Sequence, residues 1–189
     1  CIPHLYNTFQ NRHKFLHRAM NNTAQEVEAY LQAQNIPFKT VDHLPITTCE
    51  EGLKIAKEAG SSCCKSLLVK NKKQFFLFVL PGEERFNAKL AATFLKSGHL
   101  SFASSDDLSR LMHTFSGAVS LLGLIFDKNK EVSLYIDSRI LREEHIDCHP
   151  CTNDRSLVLS MKDILEKFLP SLGVPYFEFQ AGSLNGESK

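Results

Sequence analysis

What this sequence lacks narrows its chemistry before any motif is weighed. No apolar run approaches the roughly 20 residues needed to cross a bilayer. The start, Cys1-Ile2-Pro3-His4, has neither the apolar stretch of a signal peptide nor an initiator Met. A trimmed product or a piece of a longer chain is therefore expected. The motifs G-x-x-x-x-G-K-[ST], G-x-G-x-x-G and G-x-S-x-G are all absent. That removes P-loop nucleotide hydrolysis, dinucleotide binding and nucleophile-elbow catalysis. There is no internal repeat, low-complexity tract or linker. The six cysteines form no regular framework, and adjacent Cys63 and Cys64 cannot easily staple distant loops. Reduced thiols in a cytoplasmic protein are expected.

What is present suits an ordinary globular domain, since 189 residues can bury roughly 70% of the unfolded surface without a staple. The formal charge of +1 hides an uneven distribution. Residues 1 to 22 hold Arg12, Lys14 and Arg18 with no acid, and Lys65 to Lys96 holds seven basic residues against Glu83 and Glu84. A local positive field suits a polyanion such as nucleic acid, although lysines also simply solvate strand ends.

Capping signals and periodicity lay out the elements. Thr23-Ala24-Gln25-Glu26 and Thr48-Cys49-Glu50-Glu51 read as capping boxes. They open one helix that Pro37 forbids from continuing and a second that stops at Gly60. Phe38 to Asp42 is a short strand between them. Ser66 to Val69 and the wholly apolar Phe75 to Leu80 read as paired strands, the second covered on both faces. Asn87 caps a helix through Lys96 with Phe94 inward and Gly98 at its end. Leu100 to Ala103 is a strand, and Leu108, Leu111 and Met112 mark a small helix. Ser116 to Ser120 is a loop entering an apolar strand through Phe126, and Val132 to Ile136 returns. His145 to Asp154 reads as a loop. Leu157 to Leu159, a helix from Ser160 to Pro170 and a strand from Tyr176 to Phe179 finish the order, before a polar stretch, 181–189, that is expected to be disordered. Irregular alternation of hairpins and helices predicts a single α+β domain with a curved mixed or antiparallel sheet flanked by helices.

Two stretches concentrate the chemistry. In Ser61-Ser62-Cys63-Cys64-Lys65-Ser66-Leu67-Leu68-Val69-Lys70, Lys65 is expected at a loop-to-strand junction. Far downstream, His145-Ile146-Asp147-Cys148-His149-Pro150-Cys151 offers soft ligands. Its Cys-x-x-Cys spacing fits one zinc knuckle but finds no second pair of like spacing, so no metal is assigned. A nucleophilic Cys148 or Cys151 beside His149 is a further option, against small apolar thiols in a loop.

As a whole the pattern resembles the YbaK/prolyl-tRNA-synthetase-associated family of aminoacyl-tRNA deacylases, within it the free-standing editors of alanyl-tRNA for proline. The likeness runs from about Thr23 to Phe179. It is carried by Val41-Asp42-His43-Leu44-Pro45 with Thr48 and Glu51, Cys64-Lys65-Ser66-Leu67-Leu68-Val69-Lys70, Ser101-Phe102-Ala103-Ser104, Ser116-Gly117-Ala118-Val119-Ser120, and His149-Pro150-Cys151-Thr152-Asn153-Asp154. The resemblance implies a domain over 23–180 after a basic N-terminal extension, 1–22. It further implies that Lys65 grips the phosphate next to the terminal adenosine and that His149 positions water or substrate. Substrate contacts are implied for Thr48, Gly117, Ala118, Pro150 and Asn153. No cofactor is implied, because a ribose hydroxyl of the substrate assists in activating water. The expected partners are the 3′ end of a mischarged tRNA, and prolyl-tRNA synthetase or an elongation factor as its presenter. Ile146 stands where some relatives have glycine, and Leu121 where many have proline, so the amino-acid pocket differs from theirs. Two alternatives accompany the alanyl reading: a non-catalytic module that binds a tRNA end or aminoacyl-adenosine, and a deacylase for cysteinyl-tRNA.

Overall fold

The computed structural model describes residues 22–46 and 48–181. The expected N-terminal extension and polar tail lie outside the described residues except at 22 and 181. Helix α1 (residues 22–33) buries Ala24, Val27 and Leu31, the i, i+3, i+7 stripe of an amphipathic helix. Thr23 lies inside it rather than at its cap, because residue 22 is already helical. Strand β1 (Phe38–Asp42) leads to α2 (Cys49–Ala59), which has the expected reciprocal cap of Thr48 and Glu51 and ends at Gly60.

The hairpin of β2 (Ser62–Lys70) and β3 (Phe75–Pro81) is the centre of the sheet. Asn71 Oδ1 accepts from the backbone N–H groups of Lys73 and Gln74, both at 2.8 Å, and so closes the turn. Phe76 to Leu80 are each at most 4% exposed. Alternate residues go to two cores, as a period of two dictates. Leu77 and Val79 join the large cluster with α1 and α4 (Ser105–Met112), while Phe76, Phe78 and Leu80 join a smaller one. In the latter, Phe78 lies 5.0 Å from Phe179 and 5.2 Å from both Phe86 and Tyr135, ring to ring. Each ring buried this way is worth about 1.5–3 kcal/mol.

Asn87 caps α3 (Ala88–Phe94) as expected, but Phe94 is 42% exposed and Lys96, not Gly98, takes a left-handed turn with φ 48°. Strand β4 (Ser101–Phe102) precedes α4. The apolar run that reads as a strand through Phe126 is a buried 3-10 helix, Leu121–Ile125, capped by Ser120. A short run buried all round has no periodicity to separate strand from helix. Then come β5 (Val132–Asp137), β6 (His145–Cys148), β7 (Arg155–Ser160) and β8 (Tyr176–Phe179). Strand β6 replaces the first half of the expected loop. The last helix, α5, runs from Met161–Asp163 through a π turn at Ile164–Phe168 to Leu169–Leu172. Pro170 sits inside it and Gly173 ends it. The π turn lies where the ladder must absorb the donor that proline lacks.

The strands form one mixed sheet in the order β1-β7-β6-β2-β3-β5-β8, with β4 also on β2. The pairs β6–β2, β3–β5 and β5–β8 are parallel and the others antiparallel. Among the described residues no helix is long and apolar enough to cross a membrane.

Candidate active site

The site follows from a break in the sheet. Strand β2 pairs with β3 from Cys64 to Lys70. On its other side it pairs with β6 only at Ser62 and Cys63 and with β4 only at Val69 and Lys70, aided by the Ala103 N–H on Leu68 O at 2.9 Å. Residues 64–67 thus have one open side. A cavity of about 520 Å³ fills the gap, lined by this segment, the rim of α2 at Thr48, Cys49 and Gly52, the glycine loop at 116–120, and β6 through His149. That volume is within the ordinary range for small-ligand pockets.

Lys65 lies inside β2 rather than at a loop-to-strand junction, since the strand already begins at Ser62. Among the described residues it is the only lysine or arginine in the lining, and it makes no ion pair with any of them. Of the seven basic residues from Lys65 to Lys96, Lys70 alone is in an ion pair with a described residue, Asp107. A cation held on a strand and not neutralised internally is available to an anion. Further along the strand, where β4 pairs with Val69, Phe102 is in the lining and 61% exposed.

The facing wall is tied down. His149 Nδ1 lies 3.1 Å from the Arg155 carbonyl oxygen, which can only accept, so Nδ1 carries the proton and donates. Nε2 of the neutral ring keeps its lone pair. Burial lowers the pKa of His149 and so favours that neutral ring. His43 stands behind it, with ring centroids 5.9 Å apart. Its Nδ1 donates to Leu44 O at 2.9 Å and its Nε2 is 3.0 Å from Ser156 Oγ.

The loop after His149 is fastened by backbone. Ile46 N–H donates to Asn153 O at 2.9 Å and His43 N–H to Asp154 O at 3.1 Å. The buried Thr114 hydroxyl reaches both Ala118 O, at 2.9 Å, and Cys151 O, at 3.3 Å, and so joins the glycine loop to this one. Gly117 has φ 95°, a left-handed conformation that a side chain would strain. Gly82 permits a close approach, because a Cβ there would stand 2.7 Å from Cys63 Sγ.

Cys63, Cys148 and Cys151 are poor nucleophiles. Burial pushes Cys63 and Cys151 each up to about 12. Cys148 is raised by its contact with Cys64, whose Sγ is 3.9 Å away, and by burial. A thiol held protonated does not attack, which disfavours the nucleophilic-cysteine option. No group of three or more His, Cys, Asp or Glu placed to hold a metal occurs among the described residues.

Of the residues singled out from sequence, Lys65, Thr48, Gly117 and His149 line the cavity together. Ala118 and Pro150 are buried and do not line it, and Asn153 acts on the Ile46 backbone through its Nδ2, 3.3 Å from Ile46 O. The first four are thus open to a ligand in the cavity, while Ala118 and Asn153 take part in hydrogen bonds that join the loops.

The aminoacyl-tRNA editing domain family matches residues 43–167, well over half of the chain. The chain belongs to that family. It is 32% identical over 151 residues to the prolyl-tRNA editing protein ProX of Acetoanaerobium sticklandii, covering 79% of this chain and 92% of that one. It is 25% identical over 144 residues to prolyl-tRNA synthetase associated domain-containing protein 1 of Danio rerio, covering 75% and 78%. A solved structure assigned as a trans-editing enzyme for prolyl-tRNA synthetase shares the fold, with a TM-score of 0.64 at 20% identity over 84% of this chain and 96% of that one.

Sequence reading of this editing domain missed Asp147, Ser156 and Thr114. Asp147 lines the cavity from β6, while Ser156 and Thr114 brace its wall from behind. The available signal for Asp147 was an isolated carboxylate within a run of otherwise buried residue types, Ile146 to Cys148.

Proposed function

We propose that this editing domain hydrolyses the ester of a small amino acid, alanine first, mischarged on the tRNA for proline. The observation that carries the reading is the open side of β2, where unpaired Lys65 faces a wall bearing neutral His149. Lys65 takes the phosphate next to the terminal adenosine, and Phe102 gives its base a face to stack on. His149 Nε2 holds a water by its lone pair. That water adds to the ester carbonyl, and the bond to the ribose oxygen breaks. Free amino acid and a ribose hydroxyl on the tRNA are left. In this reading, backbone N–H groups on the open side of β2 and in the glycine loop receive the developing oxyanion. A ribose hydroxyl of the substrate shares in activating the water, which is consistent with a site lacking a nucleophilic triad.

In this reading the amino-acid end of the pocket, with Cys64, Leu108, Val119 and Cys148 in its lining, takes a small side chain. Excluding the larger cognate residue by size is the logic of a second sieve. Prolyl-tRNA synthetase or an elongation factor is the expected presenter of the tRNA. The deciding experiment is release of amino acid from alanyl-, cysteinyl-, seryl- and prolyl-tRNA, with alanyl fastest and prolyl spared. Faster cysteinyl release reassigns the substrate. Tight tRNA binding with no release from any of the four overturns the hydrolase in favour of a binding module.

A further inference from the structure

Among the described residues, Asp147 is the only carboxylate in the lining of the cavity. It closes the last ladder pair of the β2–β6 seam, opposite Cys63, at the point where the strands part. Its residue is 7% exposed, and its Oδ2 is a buried atom with no hydrogen-bond partner among the described residues. Leaving a buried acceptor unmet is costly, and such atoms are rare in folded proteins. Of the groups around it, only His43, reached through Ser156, offsets its charge. Cys63, Cys64 and Cys148 are thiols, and His149 donates its ring proton to Arg155 O. Ser156 has one hydroxyl proton to divide between Asp147 and His43 Nε2. Across the cavity stands the unpaired Lys65, and the two opposite charges form no ion pair with each other.

A ligand that completes both walls carries a cation at one end and an anion at the other. An aminoacyl-adenosine end has that form, with a free α-ammonium beside the ester and a phosphate beyond the ribose. We propose that Asp147 Oδ2 receives the α-ammonium of the aminoacyl group, so that Asp147 and Lys65 read the two ends of one substrate. This rests on the ester-hydrolase reading above and extends it. It makes the domain selective for amino esters over hydroxy or N-acylated esters of the same size.

The test compares alanyl-tRNA with lactyl-tRNA, in which a hydroxyl replaces the ammonium, on the wild type and on Asp147→Asn. The wild type is expected to favour alanyl-tRNA by about tenfold or more in kcat/KM, the size of a charge-assisted contact. Asp147→Asn is expected to bring the two substrates within about twofold, by loss on alanyl-tRNA alone. An unchanged preference in the variant overturns the proposal. Calorimetry on the wild type with 3′-alanylamido- and 3′-lactylamido-adenosine 5′-phosphate reads the same contact without turnover or a variant fold. Tighter binding of the amine supports the contact even if no ester is cleaved, which separates this inference from the hydrolytic reading. Equal affinities overturn it.

Discussion

On the β2 wall of the cleft a lysine stands without an ion-pair partner among the described residues, whereas on the other wall His149 and, behind it, His43 are each tied to a backbone carbonyl. The first wall becomes complete only when something binds. The second, Asp147 apart, is already ordered by the fold, through His43, Ser156, Arg155 and the backbone of the 149–154 loop. Substitutions should therefore separate function from stability on the first wall and couple them on the second.

The largest effect is expected at Lys65. Lys65→Ala removes a charge-assisted phosphate contact, worth about 1.5–3 kcal/mol, so kcat/KM for alanyl-tRNA should fall by roughly 10- to 150-fold. The melting temperature should move by no more than about 1 °C, because no internal partner is lost. Full deacylation activity in this variant sinks the mechanism, and a large drop in melting temperature breaks the contrast between the walls.

His149→Ala comes next and should do both things at once. Loss of the water-holding nitrogen is expected to cost about tenfold in kcat, less than the roughly hundredfold or more of a full general base, because a ribose hydroxyl of the substrate shares the task. Loss of the ring's bond to Arg155 O should lower the melting temperature by about 2–4 °C, or about 1 kcal/mol in a chain of this size. The pH profile gives the sharper reading. Burial holds the His149 pKa below the ordinary 6.5, so activity needing the neutral ring should persist below that pH and fall only further down. His149→Ala should erase this acid limb, and a limb that survives assigns it to another group.

This difference between the walls also explains what the sequence disclosed. The α2 cap was legible because Thr48 and Glu51 act over three residues. The doubly buried β3 was legible because all six residues from Phe75 to Leu80 are apolar. Lys65 and His149 stood out through local motifs that the family shares. Strand β6 was not legible, because His145-Ile146-Asp147-Cys148 alternates over four residues only, too few to stand as a signal, and becomes a strand by pairing with β2 and β7. Nor was the open side of β2, since it arises from where two distant partners stop. Asp147 inherits both difficulties: its meaning lies in the ladder ending beside it.

A smaller effect is expected at the rim. Phe102→Ala should raise KM for alanyl-tRNA by about fivefold, at the low end of base stacking on an aromatic ring, with kcat little changed. Since Phe102 is 61% exposed, stability should not fall, which places it with Lys65 on the wall that the substrate completes. A KM that does not move removes the adenine from this ring.

The smallest effect concerns pH and stability on the ordered wall, where two groups pull in opposite directions. Burial lowers the pKa of His149, so its contribution is complete above the imidazole range and is lost as pH falls through the folded value. Burial raises the pKa of Asp147, so its contribution is complete below the unfolded carboxylate value and is lost as pH rises through the folded one. Asp147→Asn deletes only the second dependence. The variant should gain on the wild type between pH 4 and 7, by about 2–4 °C if a buried unmet charge costs about 1 kcal/mol. Such a gain, alongside lost discrimination between alanyl- and lactyl-tRNA, is what a carboxylate kept for a ligand rather than for folding predicts. A difference in melting temperature that stays constant across that range shows instead that Asp147 is satisfied within the fold, and returns it to the same class as its neighbours on β6.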